Sequence, residues 1–464
     1  MPELIRTEHR LPTVRILLDR VTAADGRPEE QAVLQAMVGA EPPREIARCA
    51  SEELGLPEGP EPPTEAAFRL PAGVAAGVAA AVAEMDRAGA GTGALWLELP
   101  APHGDLHLVP WERLLAPVVT DRPVLRLPYH MLRPRASFDV VQVAIAGPLS
   151  RGALPSDVDA AALLAAHARS WVVNSHGAAR VNVFVRDEAA AEVRDLTADV
   201  PEIVVHDPGY ARDLPASGLG SAISPADLST NPWLLWMTAA LGGRAVDVAH
   251  VLTYGNLAPT GGRMMLSRSP IAGGDRDACL LVGSTPLAGA LAQLGAWALV
   301  LSGLPGDPSP VGLRGLADAI AHLHPGAVIA QAVTGTDTAD FDAAVARVFG
   351  DGPAVPSLPT LCCWAHPQLV HFSSEQAEAL LLTPTGQSAV IAPATSTVLA
   401  AQDTPAWVAA GTRFLETQQA DWIGSAPSAD VDEAAKTALR SVSELLDAHV
   451  RKHLSDPGDG EVTT

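Results

Sequence analysis

From Phe138 onward the chain alternates short apolar runs with segments of helical periodicity, and few architectures accept that order. Runs too apolar for a sheet with one wet face must be covered on both, so the expected fold is α/β, a mostly parallel sheet flanked by helices. The expected strands are Val140–Ala146, Arg180–Val185, Glu202–His206, Val246–Leu252, Trp297–Leu301 and Ala327–Gln331. Between and after them the periodicity predicts helices at about Val158–Trp171, Glu188–Leu196, Pro232–Leu241, Leu287–Leu294, Gly312–Leu323 and Ala339–Phe349. A polar hairpin around Gly261–Ser267 interrupts the alternation. Loops at the C-terminal ends of the strands should line any site.

Upstream, Val14–Leu18 reads as a strand, while Glu29–Val38 and Arg44–Leu54 carry helical patterns. A Pro-rich break at Pro57–Pro63 precedes an Ala-rich helix, Pro71–Arg87, and a strand, Leu95–Leu99. Gly89–Gly93 superficially fits a dinucleotide fingerprint, but it follows a helix and opens a strand, the reverse of the required order. After Phe372 short mixed segments lead to a closing helix, Val431–Leu454, whose stripe of Val431, Ala435, Ala438, Val442 and Leu445 is expected to dock on the rest of the chain. Ser455–Thr464 is expected to be a disordered tail.

At 464 residues there is room for two or three domains, or for one large domain with sizeable extensions. Charged residues number 31 basic and 53 acidic, and a net charge of −22 argues against a broad grip on nucleic acid or anionic lipid. The only lysines are Lys436 and Lys452, and Lys436 follows Ala435, so neither a Walker phosphate loop nor a buried Schiff-base lysine in the main body is available. Cys49, Cys279, Cys362 and Cys363 show no disulfide framework, which points to a reducing, cytoplasmic compartment. Met1–Arg10 is charged and lacks the apolar core of a signal peptide. The stretch between Asp277 and Asp307 carries no charge, yet its Gly and Pro punctuation divides it into strand, helix and strand, so no membrane span is expected.

Ala245–Leu257 contains Asp247, two apolar residues, His250, three more residues, then Tyr254-Gly255. This resembles the CHAT domain, a caspase-like peptidase module of bacterial signalling and defence proteins, in which a catalytic His-Gly occupies the last two positions. The family's next strand ends in the nucleophilic Cys; the matching segment here is Ala298–Leu304, with Leu304 at that position. Leu106–Leu114, with Trp111-Glu112, is similar to the family's Leu-Pro-Trp-Glu segment. Gly312–Ala330, Asp337 with Phe341, and Trp364-Ala365 resemble the later elements. The resemblance implies an N-terminal α/β region over 1–94, a caspase-like domain over 95–372, and a C-terminal extension over 373–454 before the tail at 455–464.

Both dyad positions are substituted. A phenol is a poor base at neutral pH and a Leu side chain is no nucleophile, so the inherited mechanism is expected to be lost. The resemblance then implies a catalytically degenerate, protein-binding or regulatory component, needing no cofactor or metal and paired with a basic segment or a co-encoded effector or sensor. Its binding cleft would be built from His250, Tyr254, Gly255, Ser302, Leu304, Pro305, Gly306 and Asp307, with Asp307 facing an Arg or Lys of the partner. The alternative is an active hydrolase using Ser302 or Cys279 with His250. Nothing in the sequence assembles a second triad, and the expectation that discriminates the two readings is that no His lies within hydrogen-bond reach of a Ser or Cys at the strand ends. His250 by itself fits a satisfied core histidine as well as a functional one.

His176-Gly177 reads as a turn with a surface His, at the opposite edge of the sheet. Cys362, Cys363, His366 and His371 are the one cluster of metal-ligand types evident in the sequence, but adjacent strand residues face opposite ways. Buried thiols are the better reading. Cys49 and Cys279 read as core residues.

Overall fold

The computed structural model describes residues 12–365 apart from 23–27, 39–41, 58–60, 88–93, 120–121, 129–139, 176–177, 214–227, 229–230, 260, 325, 334, 336 and 350–359. Gly89–Gly93, His176-Gly177, His366, His371, the closing helix and the tail lie outside them.

The strands, in chain order, are β1 (Pro12–Thr22), β2 (Pro28–Val38), β3 (Arg44–Ala50), β4 (Leu95–Glu98), β5 (Val124–Arg126), β6 (Val140–Gly147), β7 (Ala178–Val185), β8 (Ile203–Val205), β9 (Val248–Thr253), β10 (Gly255–Ala258), β11 (Gly261–Ser267), β12 (Cys279–Val282), β13 (Ala298–Gly303), β14 (Val328–Ala332) and β15 (Leu361–Trp364). The helices are α1 (Ala72–Arg87), α2 (Trp111–Leu115), α3 (Ala160–Asn174), α4 (Asp187–Leu196), α5 (Pro232–Ala240), α6 (Ser284–Leu294), α7 (Pro310–Leu323) and α8 (Ala339–Val348). Among the described residues, twelve strands form one sheet in the order β3-β2-β1-β4-β5-β15-β14-β13-β9-β6-β7-β8. Within it only β1–β2, β2–β3 and β14–β15 pair antiparallel. The protein is therefore α/β with a large, mostly parallel sheet flanked by helices, the architecture that a caspase-like reading requires.

The alternating part of the sequence lies where expected, because strand and helix periods there agree with burial. Even-numbered residues of β9 and β13, including Val248, Leu252, Ala298 and Val300, face a core shared with Trp171 of α3 and Phe341 of α8. Odd-numbered ones, including Ala249, Leu299 and Leu301, face a second core with Leu291 of α6 and Leu316 of α7. Helix starts follow local chemistry: Asp159 caps α3 through the Ala162 N–H at 2.9 Å, and Asn231-Pro232 opens α5 with the Asn side chain accepting from Trp233 N at 2.9 Å.

The expected helices at Glu29–Val38 and Arg44–Leu54 are instead strands β2 and β3, with only Ser51–Leu54 forming a short 3-10 turn. Glu, Gln and Ala favour a helix locally, but β2 pairs with β1 along eleven residues and places Ala32, Leu34 and Ala36 in a core with Val14, Ile16 and α1. Burial at period two outweighs propensity. This pairing also makes one sheet across residue 94, since β1 runs parallel to β4. The expected polar hairpin around Gly261–Ser267 is instead the single strand β11, central in a three-stranded antiparallel sheet, β10-β11-β12.

The uncharged stretch resolves into β12, the eleven-residue α6 and β13. Among the described residues no helix is long and apolar enough to cross a membrane.

Candidate functional site

The C-terminal ends of β9 and β13 are neighbours in the sheet, and they bring the expected site residues together. Tyr254 and Leu304 follow directly on the core-facing positions of these strands. They are 4% and 3% exposed, packed with Leu252, Val300 and Val333. The Tyr254 hydroxyl donates to the Pro305 carbonyl at 3.0 Å, and burial, with Asp307 and Asp157 adding repulsion, pushes its pKa above the usual phenol value. It is held protonated. Both positions just past the strand ends are thus filled by core side chains.

Gly255 is required for packing. A Cβ there would lie 2.3 Å from the Ser309 carbonyl oxygen and 2.8 Å from Leu313 N, both backbone atoms at the start of α7. Asp307 turns inward rather than out to a partner: its carboxylate accepts from Gly255 N at 3.1 Å and Ser309 N at 2.9 Å. Burial raises its pKa to about 6 against the opposing pull of those two N–H groups. Asp247 lies at the other end of β9, accepting from Gln142 N at 2.8 Å. It ties strands and has no place at the site.

One expectation is overturned. His250 does lie within hydrogen-bond reach of a serine: its Nε2 is 2.8 Å from Ser302 Oγ, both residues fully buried. They meet diagonally, because Ser302 registers with Leu252 on β9 and His250 with Val300 on β13. Ser302 registers with Gln331 on β14, whose Nε2 donates to Ser302 Oγ at 2.7 Å and reaches His167 Nε2 at 2.9 Å. The direction of each bond follows from the ends. Trp171 Nε1–H is only a donor, so His250 Nδ1, 3.1 Å away, accepts and the ring carries its proton on Nε2. His167 Nδ1 lies 2.8 Å from the Leu163 carbonyl and so donates, leaving Nε2 to accept from Gln331. Ser302 Oγ therefore receives two hydrogen bonds.

This polarity is the reverse of a catalytic pair, in which the imidazole accepts the hydroxyl proton. Inverting the His250 tautomer would set Nδ1–H against the Trp171 N–H. Burial, with His167 nearby, holds the His250 pKa well below the usual imidazole value, so the ring is neutral and resists charging. The network is a satisfied core polar chain. Nor does Cys279 supply a nucleophile: it is half-buried rather than fully in the core, and burial raises its thiol pKa despite Arg186.

Near these strand ends, a cavity of about 390 Å³ opens where β6 and β7 finish, lined by Leu154, Pro155, Asp157 and Val185 among others. It adjoins the site loop, since a Cβ on Gly306 would lie 3.1 Å from Pro155. Its carboxylates are Asp157, Asp159, Glu188 and Glu192, its cations Arg151 and Arg186. Arg151 pairs with Glu192, and Arg186 with Asp277 and Glu188, so the cavity is acidic on balance.

The Trp111-Glu112 and Trp364-Ala365 segments come together around Arg126. Arg126, fully buried, donates to Glu112 at 2.7 and 3.0 Å and lies 4.8 Å from the centre of the Trp364 ring. Cys362 and Cys363 face opposite cores on β15, and burial pushes the Cys362 thiol up to about 12, with Glu112 adding to it. Cys49 is buried as expected.

Sequence reasoning passed over a second group of metal-ligand types. His103, His107 and Asp318 place one ligand atom each within 4.8 Å of one another. His103 caps a 3-10 segment, Gly104–Leu108, His107 lies within it, and Asp318 is buried on α7. The signal was present as two i,i+4 pairs, His103/His107 and Asp318/His322, but nothing local joins them. No protein-family model matches the chain, and none of the curated proteins matches it.

Proposed function

We propose that this chain is a catalytically silent, degenerate CHAT-like domain that acts by binding a basic segment of a protein partner, in a bacterial signalling or defence setting. The observation that carries the first half is the burial of Tyr254 and Leu304, whose side chains occupy the core where an active relative would hold its dyad. The reversed polarity of the His250–Ser302 bond argues against rescue by Ser302. The binding half draws on the acidic cavity beside the closed site and on the net charge of −22.

The test uses the full chain and a fluorescent arginine-rich peptide, with anisotropy as the readout. Asp157→Arg with Glu188→Arg should weaken binding by at least ~10-fold, while two reversals elsewhere, Glu84→Arg and Glu30→Arg, leave most of it intact despite an equal change in net charge. Equal losses in both variants would show only a diffuse charge effect. In parallel, mass spectrometry of new peptide ends in a cell extract should find none that depend on the protein. Specific ends that vanish with Ser302→Ala would overturn the silent-enzyme reading.

A further inference from the structure

We propose that His103, His107 and Asp318 form a binding site for a divalent transition-metal ion of the zinc type. His103 Nε2 stands 3.5 Å from Asp318 Oδ2, and all three ligand atoms lie within 4.8 Å of one another. A four-coordinate zinc with bonds of about 2.0–2.1 Å needs ligand atoms about 3.4 Å apart, so one pair already has that spacing and small rotations of the half-buried imidazoles complete the set. Two imidazoles and one carboxylate are a donor set suited to Zn²⁺ and to its neighbours in the first transition row, and they leave a position open to water.

The outer shell is that of a metal site. His103 Nδ1 and His107 Nδ1 both point at the Gly104 carbonyl, at 3.1 and 2.8 Å, so each donates there and keeps its lone pair on Nε2, which in His103 faces Asp318. Neutral, Nε2-presenting imidazoles are what a metal needs. The segment is fixed from below: Arg126 donates to the His107 carbonyl at 2.9 Å and the Val109 carbonyl at 2.9 Å, and Arg314 donates to the Leu108 carbonyl. Asp318 is 5% exposed at its side chain, an acid whose burial is compensated if a cation shares the site. His322 adds a third imidazole beside it, with Nδ1 2.8 Å from the Asp318 carbonyl and its ring 5.5 Å from that of His103. The ion would pin the segment before α2 onto α7, which lies more than 200 residues away along the chain. This site is independent of the caspase-like reading.

The experiment loads the metal-stripped full chain with Zn²⁺, removes the excess by gel filtration and counts metal per chain by atomic emission. It runs beside His103→Gln/His107→Gln and Asp318→Asn; the histidine pair is half-buried, so that variant is expected to keep the native circular dichroism even if Asp318→Asn does not. The native chain should hold one equivalent more than either folded variant, with affinity falling on the order of a hundredfold or more, the scale already seen when outer-shell partners are lost. Zinc should raise the thermal midpoint of the native chain and leave that of the histidine variant where it was. Equal zinc in native and variant chains, or no zinc retained by the native chain at micromolar metal, would overturn the site.

Discussion

Trp171 donates its indole N–H to Nδ1 of His250 at 3.1 Å, and this single bond decides the direction of the buried polar chain that runs through Ser302 and Gln331 to His167. A histidine beside a serine at a strand end looks like catalytic machinery until its tautomer is assigned. Here the indole on α3 assigns it.

Acid should unfold the protein earlier than it would without these rings. Above about pH 6.5 the His250 imidazole is neutral in both states; below it the unfolded chain takes up a proton that the native ring, with its depressed pKa, refuses. Stability is therefore lost as pH falls, by up to about 1.4 kcal/mol per pH unit for each such histidine, and His167 adds to it. Asp307 works the other way between pH 3.8 and about 6, where the native carboxyl holds a proton that the unfolded chain has released. Urea midpoints from pH 7 to pH 5 should fall in the native chain and fall less steeply in His250→Gln.

Tyr254 should prove to be a core residue with a small polar supplement. Tyr254→Phe removes only the bond to Pro305 and should cost about 0.5–1.5 kcal/mol, whereas Tyr254→Ala empties a buried ring position and should cost about 3–5 kcal/mol. Equal, small losses in chemical denaturation would mean that the ring is not packed as described.

Gly255→Ala should destabilise by about 1–3 kcal/mol, because the added carbon meets backbone at the first turn of α7, which cannot yield as a flexible side chain would. Hydrogen exchange should quicken over residues 310–316 in that variant. An unchanged exchange pattern would place the strain elsewhere.

The Arg126–Glu112 pair should show strong coupling. Glu112→Gln leaves a buried guanidinium without its counter-charge and should cost about 3–5 kcal/mol, while Arg126→Met combined with Glu112→Leu should cost much less than the two single losses added together. A double-mutant cycle in urea measures the difference.

The amino-acid order by itself determined the parallel core from β6 to α8, because apolar runs buried on both faces and helices with one apolar stripe leave distinct periods within a dozen residues. It also placed Tyr254 and Leu304 just past the ends of two buried strands, since that needs only residue identity and the bounds of β9 and β13. It was silent or misleading wherever the decisive partner is distant. Glu29–Val38 has the composition of a helix and becomes β2 because β1 offers a full-length antiparallel partner, whose ladder and shared core outweigh local preference. Asp307 looked available to a ligand until the fold brought Gly255 N and Ser309 N to its carboxylate. The direction of the His250–Ser302 bond and the meeting of His103 with Asp318 were decided only by tertiary structure, because hydrogen-bond polarity and ligand geometry depend on contacts between segments whose separation along the chain carries no local trace.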